Sequence, residues 1–209
     1  MIRRIGTYGG LILSVIFLIR GVAFPSPGLE IGGLVLGENI EAFKDKLDME
    51  AAQPIRYQEY LREVETKPQP GFKSGTVWYN AVSSPNRIVR IKLKYEDSSK
   101  AFFDALLKQF EKRFGKPKEW RGDSFNIFIA WKWSLVDSQN NQVSMIIQHN
   151  IKDPDKKLGN NIKLTRWDLI EAERNIFEQK YPERKQRKQR QKDKLKIMGP
   201  KDWDPLIPR

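Results

Sequence analysis

The sequence predicts an α+β fold in which helices pack on an antiparallel sheet. The clearest observation is the stretch 87–117, where a strand leads directly into a helix. In the strand, apolar side chains alternate with basic ones, which is typical of one buried and one solvated face. The apolar set is Val89, Ile91, Leu93 and Tyr95, and the basic set is Arg90, Lys92 and Lys94.

The helix of this stretch follows Asp97-Ser98-Ser99, which supplies N-capping side chains. Gly115 can form a left-handed C-cap, and Pro117 prevents continuation. Its apolar stripe consists of Phe103, Leu106, Leu107, Phe110 and Phe114. Ordering such a helix costs more free energy than burial of the stripe provides, so the helix must share a core with the sheet. We expect Phe110, at the centre of the stripe, to be almost fully buried.

The body of the chain, residues 24–164, is expected to contain two tandem units that each run from a helix into antiparallel strands. The first unit covers about residues 32–96, and the second covers about residues 97–150. The first is expected to have a short helix at 38–47 and strands at 55–64, 75–80 and 87–95. In the second, a polar turn joins strands at 125–136 and 143–149 into a hairpin.

The C-terminal part is expected to form a docked helix over residues 165–182, preceded by a polar loop at 153–161. Thr165 and Asp168 have the spacing of a capping box. The residues expected to dock the helix are Leu169, Ile170, Ile176, Phe177 and Tyr181. Residues 183–209 lack an apolar stripe and are expected to form a basic, extended tail.

The net charge of +12 lies mainly at the two ends of the chain, and the body is nearly neutral. We therefore expect anionic partners to meet the tail or the basic side of the strand. The candidate binding residues are Arg184, Lys185, Arg187, Lys188, Arg190 and Lys192 in the tail, and Arg90, Lys92 and Lys94 on the strand. The alternative for both sets is a solvated surface without a partner.

Residues 1–23 have the three parts of a secretory signal peptide. Two arginines precede the apolar run 11–19, and small residues follow it up to Ala23. We expect cleavage after Ala23, no transmembrane span afterwards, and a periplasmic or secreted bacterial protein. The alternative is an uncleaved anchor, because Arg20 lies between the apolar run and the cleavage point.

The inventory of chemical groups predicts a protein without catalytic activity, metal or cofactor. The sequence has no cysteine, which excludes disulfides, thiolate nucleophiles and cysteine-based zinc sites. His149 is the only histidine, and beside apolar residues on a strand it is expected to be a packed side chain. Neither a nucleophile elbow nor a glycine-rich phosphate loop occurs.

The tryptophans allow two interpretations. Trp131 and Trp133 fall on one face of a strand, and Trp78 and Trp120 are expected nearby. The simpler interpretation is that they fill the core between sheet and helices. The alternative is a stacking or protein-contact surface on an open face of the sheet.

Two short motifs carry a family resemblance. Leu36-Gly37 precedes the short helix, and Phe114-Gly115-Lys116-Pro117 precedes strands that contain Trp131 and Trp133. Over about residues 32–150, this arrangement resembles the BamE-type envelope lipoproteins and the β-lactamase inhibitor protein. The resemblance implies tandem units of helices on a small antiparallel sheet, and a role in binding other proteins. The chain departs from the BamE pattern because it has no lipobox cysteine, so no lipid anchor is implied.

Three functions are therefore compatible with the sequence. The leading one is an exported periplasmic binding or interaction protein without catalytic activity, whose partner is an envelope protein or an anionic surface. The second is a nucleic-acid-binding protein that uses the basic tail and the aromatic residues, although export argues against it. The third is an envelope hydrolase that uses carboxylates alone, for which no carboxylate pair is apparent.

Overall fold

A computed structural model of the chain describes residues 29–125, 127–137, 140–150 and 159–184, together with Arg190 and Asp193. The described part is a mixed α+β fold, as the sequence predicts: a large antiparallel sheet, a small second sheet and helices. The expected signal peptide at 1–23 lies outside the described residues, as does most of the tail.

The large sheet has eight strands in the spatial order β3-β4-β5-β6-β10-β9-β8-β7, and neighbouring strands are antiparallel. Its strands are β3 (Gln53–Ile55), β4 (Gln58–Glu65), β5 (Phe72–Asn80), β6 (Ile88–Tyr95), β7 (Glu119–Trp120), β8 (Phe128–Val136), β9 (Gln142–Asn150) and β10 (Asn161–Thr165). The small sheet pairs β1 (Glu30–Ile31) with β2 (Leu34–Val35). The α-helices are α1 (Lys100–Phe114) and α2 (Trp167–Lys180), and short 3₁₀ helices lie at Ile40–Phe43 and Met49–Ala51.

Strand β10 lies in the middle of the sheet and joins its two halves. Ile162 pairs with Leu93 of β6 on one side and with Ile147 of β9 on the other. The expectation that residue 161 ends a loop and that Thr165 begins a helix is therefore wrong. The capping box is also wrong, because the N-cap of α2 is Arg166, whose side chain makes no capping hydrogen bond.

Helix α1 packs on one face of the sheet with the boundaries that the sequence predicts. Ser99 is the N-cap and accepts a hydrogen bond from the backbone N–H of Phe102 at 3.1 Å. Gly115 ends the helix with a φ of 76°, which a residue with a Cβ rarely adopts. Phe103 is fully buried in the main core, where its ring stacks on His149 with a centroid distance of 5.4 Å.

Phe110 is only half-buried, so the expectation of nearly complete burial is wrong. Its ring contacts Trp133 with centroids 5.9 Å apart, but it also forms part of the wall of an open groove beside α1. We expect Phe110→Ala to lower the free energy of unfolding by about 1–2 kcal/mol. This is less than for a core phenylalanine, because only about half of the surface of the Phe110 ring is buried. Urea denaturation checks this value, and a loss above about 3 kcal/mol would indicate a fully buried ring.

Two elements of the first half differ from the prediction. The strand expected at 55–64 is a hairpin, in which β3 and β4 are joined by a turn with Tyr57 at a φ of 65°. The helix expected at 38–47 is reduced to the 3₁₀ turn at Ile40–Phe43, which Asn39 caps by accepting from the N–H of Glu41.

Helix α2 packs on the opposite face of the sheet through a second, smaller core. Its buried members are Ile55, Tyr60, Leu61, Val89, Ile170 and Phe177, with Leu169 and Tyr181 partly buried beside them. Ile176 is exposed and does not dock the helix as expected. Val89 also departs from its predicted face, because a register shift between Trp78 and Tyr79 turns it toward α2 and places Ile88 in the main core.

One buried carboxylate fastens α2 to the loop after β5. Glu173 is 2% exposed and accepts hydrogen bonds from the backbone N–H groups of Val82 and Ser83, the latter at 2.9 Å. It also accepts from the Ser83 hydroxyl and from Asn80 Nδ2. The side chain therefore accepts hydrogen bonds from four donors, of which Asn80 Nδ2 also reaches acceptors within its own loop.

Candidate functional site

Three cations meet on the sheet face opposite α1, and we call them the basic cluster: Arg90, Lys92 and Lys163. Lys92 of β6 and Lys163 of β10 are directly paired across the two central strands. The cluster lines a shallow cavity of about 270 Å³. The other lining residues are Glu63, Thr76, Trp78 and Gln148.

The register of the sheet determines this arrangement. Residues paired across antiparallel strands point to the same face, so Lys163 must join Lys92 once Ile162 and Leu164 face the main core. Like charges directly opposite each other destabilise a sheet. The facing pair of Lys92 and Lys163 is therefore expected to lower the stability of the fold.

The electrostatics of the cluster reflect this crowding. Burial lowers the pKa of Lys163, and the positive charges of Arg90, Lys92 and Arg121 lower it further. Burial also lowers the pKa of Arg90. Among the described residues, no ion pair includes a member of the cluster. Glu63 is the carboxylate of the cavity lining, and its Oε1 accepts a hydrogen bond from Gln53 Nε2 at 3.2 Å.

Arg90 is held in place by two tryptophans. Its guanidinium carbon lies 4.0 Å from the ring centroid of Trp78 and 5.2 Å from that of Trp167, which is 53% exposed. Its Nε donates a hydrogen bond to Thr165 Oγ1 at 3.1 Å. These contacts are favourable cation–π interactions, and they fix the direction of the guanidinium group. Arg90 is thus a preorganised donor at the edge of the cavity.

Two neighbouring cations, Lys132 and Arg121, share one carboxylate partner, in contrast to the cluster. Glu119 of β7 accepts from Lys132 at 3.2 Å and from Arg121 at 2.9 Å. Hydrogen bonds from Arg121 and Lys132 lower the pKa of Glu119. Lys132 therefore offers a matched control for the unpaired lysines at the centre of the sheet.

The other predicted binding residues are spread over different parts of the chain. Lys94 shares the face of the cluster but does not line the cavity, since it pairs with Asn161 one row away. Arg184 does not belong to a free tail: it pairs with Glu59, and its guanidinium lies 5.4 Å from the ring of Tyr181. Arg190 is exposed. The remaining candidates, Lys185, Arg187, Lys188 and Lys192, lie outside the described residues.

Sequence reasoning missed Lys163 and Trp167 as members of the site. The segment 161–165 reads NIKLT and alternates apolar with polar residues, which was a usable strand signal. It is only five residues long and follows a polar stretch, so its pattern was weak. Trp167 could not be assigned without knowing that α2 crosses this face of the sheet.

The tryptophans are divided between the two faces. Trp133 is in the main core, and Trp131 is half-buried with its ring 4.8 Å from that of Trp120. The expectation that Trp78 lies near them is wrong, because it faces the basic cluster. His149 is a packed side chain, as predicted, and its Nδ1 lies 2.7 Å from Asn160 Oδ1.

Comparison with known proteins adds no assignment. No protein-family model, curated protein or solved structure matches the chain. The resemblance to BamE-type lipoproteins and the β-lactamase inhibitor protein therefore stays a prediction. Within the described ranges, no group of side chains has the composition of a metal site, and no helix is long and apolar enough to cross a membrane.

Proposed function

We propose that this is an exported, periplasmic binding protein without catalytic activity, and that its basic cluster binds phosphate-bearing groups of an anionic envelope surface. The signal-peptide pattern of residues 1–23 supports export. The observation that carries the proposal is the facing pair of Lys92 and Lys163 beside Arg90, without an ion-pair partner among the described residues.

Burial and the neighbouring positive charges lower the pKa of Lys163, and an anion in this cavity would offset those charges. The lysines supply point charges, and the guanidinium group of Arg90 supplies hydrogen-bond donors in a fixed direction. Thr76 and Gln148 add uncharged polar groups to the lining. This combination suits a phosphate oxygen better than an apolar partner.

The tail adds charge to the same molecule without being part of the cluster. Residues 185–196 are rich in lysine and arginine, whereas Arg184 is bound to the body through Glu59 and Tyr181. A truncation that tests the tail must therefore keep Arg184. Each basic residue near an anionic membrane contributes about 1 kcal/mol at most, and the effect falls with salt.

Co-sedimentation with vesicles tests the proposal. We expect the protein to bind phosphatidylglycerol vesicles and not phosphatidylcholine vesicles. The double variant Lys92→Gln/Lys163→Gln should bind about 30-fold more weakly, since two charges at about 1 kcal/mol each are lost. Lys132→Gln should weaken binding less than about threefold, because Lys132 is already paired with Glu119.

Three further measurements distinguish the sources of binding. Inorganic phosphate at millimolar concentration should compete with the vesicles if the cavity binds free phosphate. It should not compete if binding requires several lipid headgroups at once. Truncation after Arg184 separates the contribution of the tail. Urea denaturation of the double variant should show unchanged or increased stability, because like-charge repulsion is removed. Equal vesicle binding by the double variant and the wild type would refute the role of the cluster.

A single-stranded nucleic acid is the second candidate ligand, favoured by the combination of tryptophan and cations on one sheet face. Arg90 stacks on Trp78 and Trp167 and leaves less aromatic surface for bases. For this reason we favour a ligand that is recognised through its phosphate groups alone over a nucleic acid. An unlabelled oligonucleotide added to the vesicle assay discriminates the two. Displacement at equimolar amounts, together with direct binding below micromolar concentration, would favour the nucleic acid.

A further inference from the structure

An apolar groove lies on the face of the sheet opposite the basic cluster, beside the C-terminal half of α1. We call it the α1 groove, and its volume is about 960 Å³. Small-molecule sites in proteins commonly occupy about 300–1,000 Å³ and are lined mainly by apolar side chains. The apolar lining residues are Leu29, Ile31, Tyr95, Phe110, Phe114, Leu135, Val136, Met145, Ile162 and Leu164.

The floor of the α1 groove is the sheet itself. Met145, Ile162 and Leu164 lie at its base and are almost completely buried in the main core. Phe110 and Phe114 form the wall on the side of α1, and their rings contact each other with centroids 5.7 Å apart. Both are half-buried, although they belong to the stripe that docks the helix. Among the described residues, the helix therefore leaves part of its apolar stripe uncovered.

The mouth of the groove is positively charged. Lys112 and Arg113, in the last turn of α1, are among its lining residues. Neither takes part in an ion pair with another described residue. The nearby carboxylate of Asp137 is bound by Arg166 at 3.5 Å and by the backbone N–H of Asn141. Glu30, which also lines the groove, is exposed.

Tyr95 contributes the buried polar group of the groove. The residue is 8% exposed, and burial raises its pKa, so its hydroxyl stays protonated. Its ring packs between Phe72 and Phe102, and no hydrogen bond among the described residues involves the hydroxyl. In a dry core, a hydroxyl without a hydrogen-bond partner costs free energy. In a groove that water can enter, the hydroxyl can bind water instead.

We propose that the α1 groove binds a long-chain amphiphile, with its apolar chain against the half-buried side chains of Phe110, Phe114 and Leu135 and its anionic head at Lys112 and Arg113. The volume and lining fit the chain, and the unpaired cations at the mouth fit a carboxylate head. This site is independent of the basic cluster, which lies on the other face of the sheet. Loss of one binding activity should therefore leave the other unchanged.

The test is a fluorescence titration of the full chain with cis-parinaric acid, a fatty acid whose emission rises in apolar surroundings. We expect saturable binding that palmitate displaces and that hexadecanol displaces more weakly. Leu135→Glu should weaken binding at least about tenfold, because it places a charge on the apolar wall. Leu169→Glu, an equally half-buried leucine on α2 at the other face, should leave binding unchanged.

Two milder variants keep the proposal testable if Leu135→Glu fails to fold. Arg113→Glu should weaken binding of the fatty acid about threefold and leave the dissociation constant of hexadecanol, calculated from its displacement of the probe, unchanged. Tyr95→Phe should strengthen binding about twofold, since the hydroxyl no longer loses water when the chain enters. Unchanged binding in all of these variants would overturn the proposal. Binding that appears only after Ile16→Asp would also overturn it, because the occupant would then be the apolar run 11–19 of the chain itself.

Discussion

Replacement of Trp133 by alanine is expected to lower the free energy of unfolding by about 3–5 kcal/mol, at the upper end for a single core substitution. Trp133 is 2% exposed and belongs to the main core under α1. Its Nε1 also donates a hydrogen bond to the carbonyl of Gly115 at 2.8 Å. The variant thus loses a large packed ring and the contact that holds the C-terminal end of α1 on β8.

Urea denaturation followed by circular dichroism measures this loss. Trp120→Ala is the matched control, because Trp120 is 41% exposed on the short edge strand β7. We expect the control to lose less than about 1 kcal/mol. Comparable losses in the two variants would contradict the placement of Trp133 at the centre of the core.

Glu173→Ala is expected to destabilise the protein by about 2–5 kcal/mol, since its carboxylate satisfies several buried donors. The substitution leaves the N–H groups of Val82 and Ser83 without their acceptor and detaches the loop after β5 from α2. Glu173→Gln should also be strongly destabilising, because its amide nitrogen would face donors rather than acceptors.

Glu171→Ala provides the control for this experiment. Glu171 lies on the same helix and is exposed, so we expect its removal to change stability by less than about 0.5 kcal/mol. Hydrogen exchange of the Val82 and Ser83 amides gives a local readout. Their protection should disappear in Glu173→Ala and persist in Glu171→Ala.

The sequence predicts best where local pattern and capping agree. Helix α1 has a regular apolar stripe, a serine N-cap and a glycine C-cap, and its observed bounds, Lys100–Phe114, match the expectation. Strands β10 and β3 were not predicted, because segments of three to five residues carry too little periodicity. Their pairing depends on long-range contacts that no local pattern contains.

The sequence predicts the part of the candidate site that lies on a single strand, β6. The alternation of β6 placed Arg90 and Lys92 on one face, but Lys163 arrives from a strand far along the chain. The same limit explains Phe110: helical periodicity identifies the side of α1 that faces the sheet, not how closely helix and sheet approach. The open space beside α1 is a property of tertiary packing alone.

The central position of β10 has a consequence for the order of folding. Arg90 and Thr165, which are hydrogen-bonded across β6 and β10, are 75 positions apart in the chain. The two halves of the sheet cannot be joined until this late segment has been synthesised, and pairings between distant segments form slowly. We therefore expect the eight-stranded sheet to form only after the C-terminal part of the chain has been synthesised, so that association of its two halves is a late step of folding.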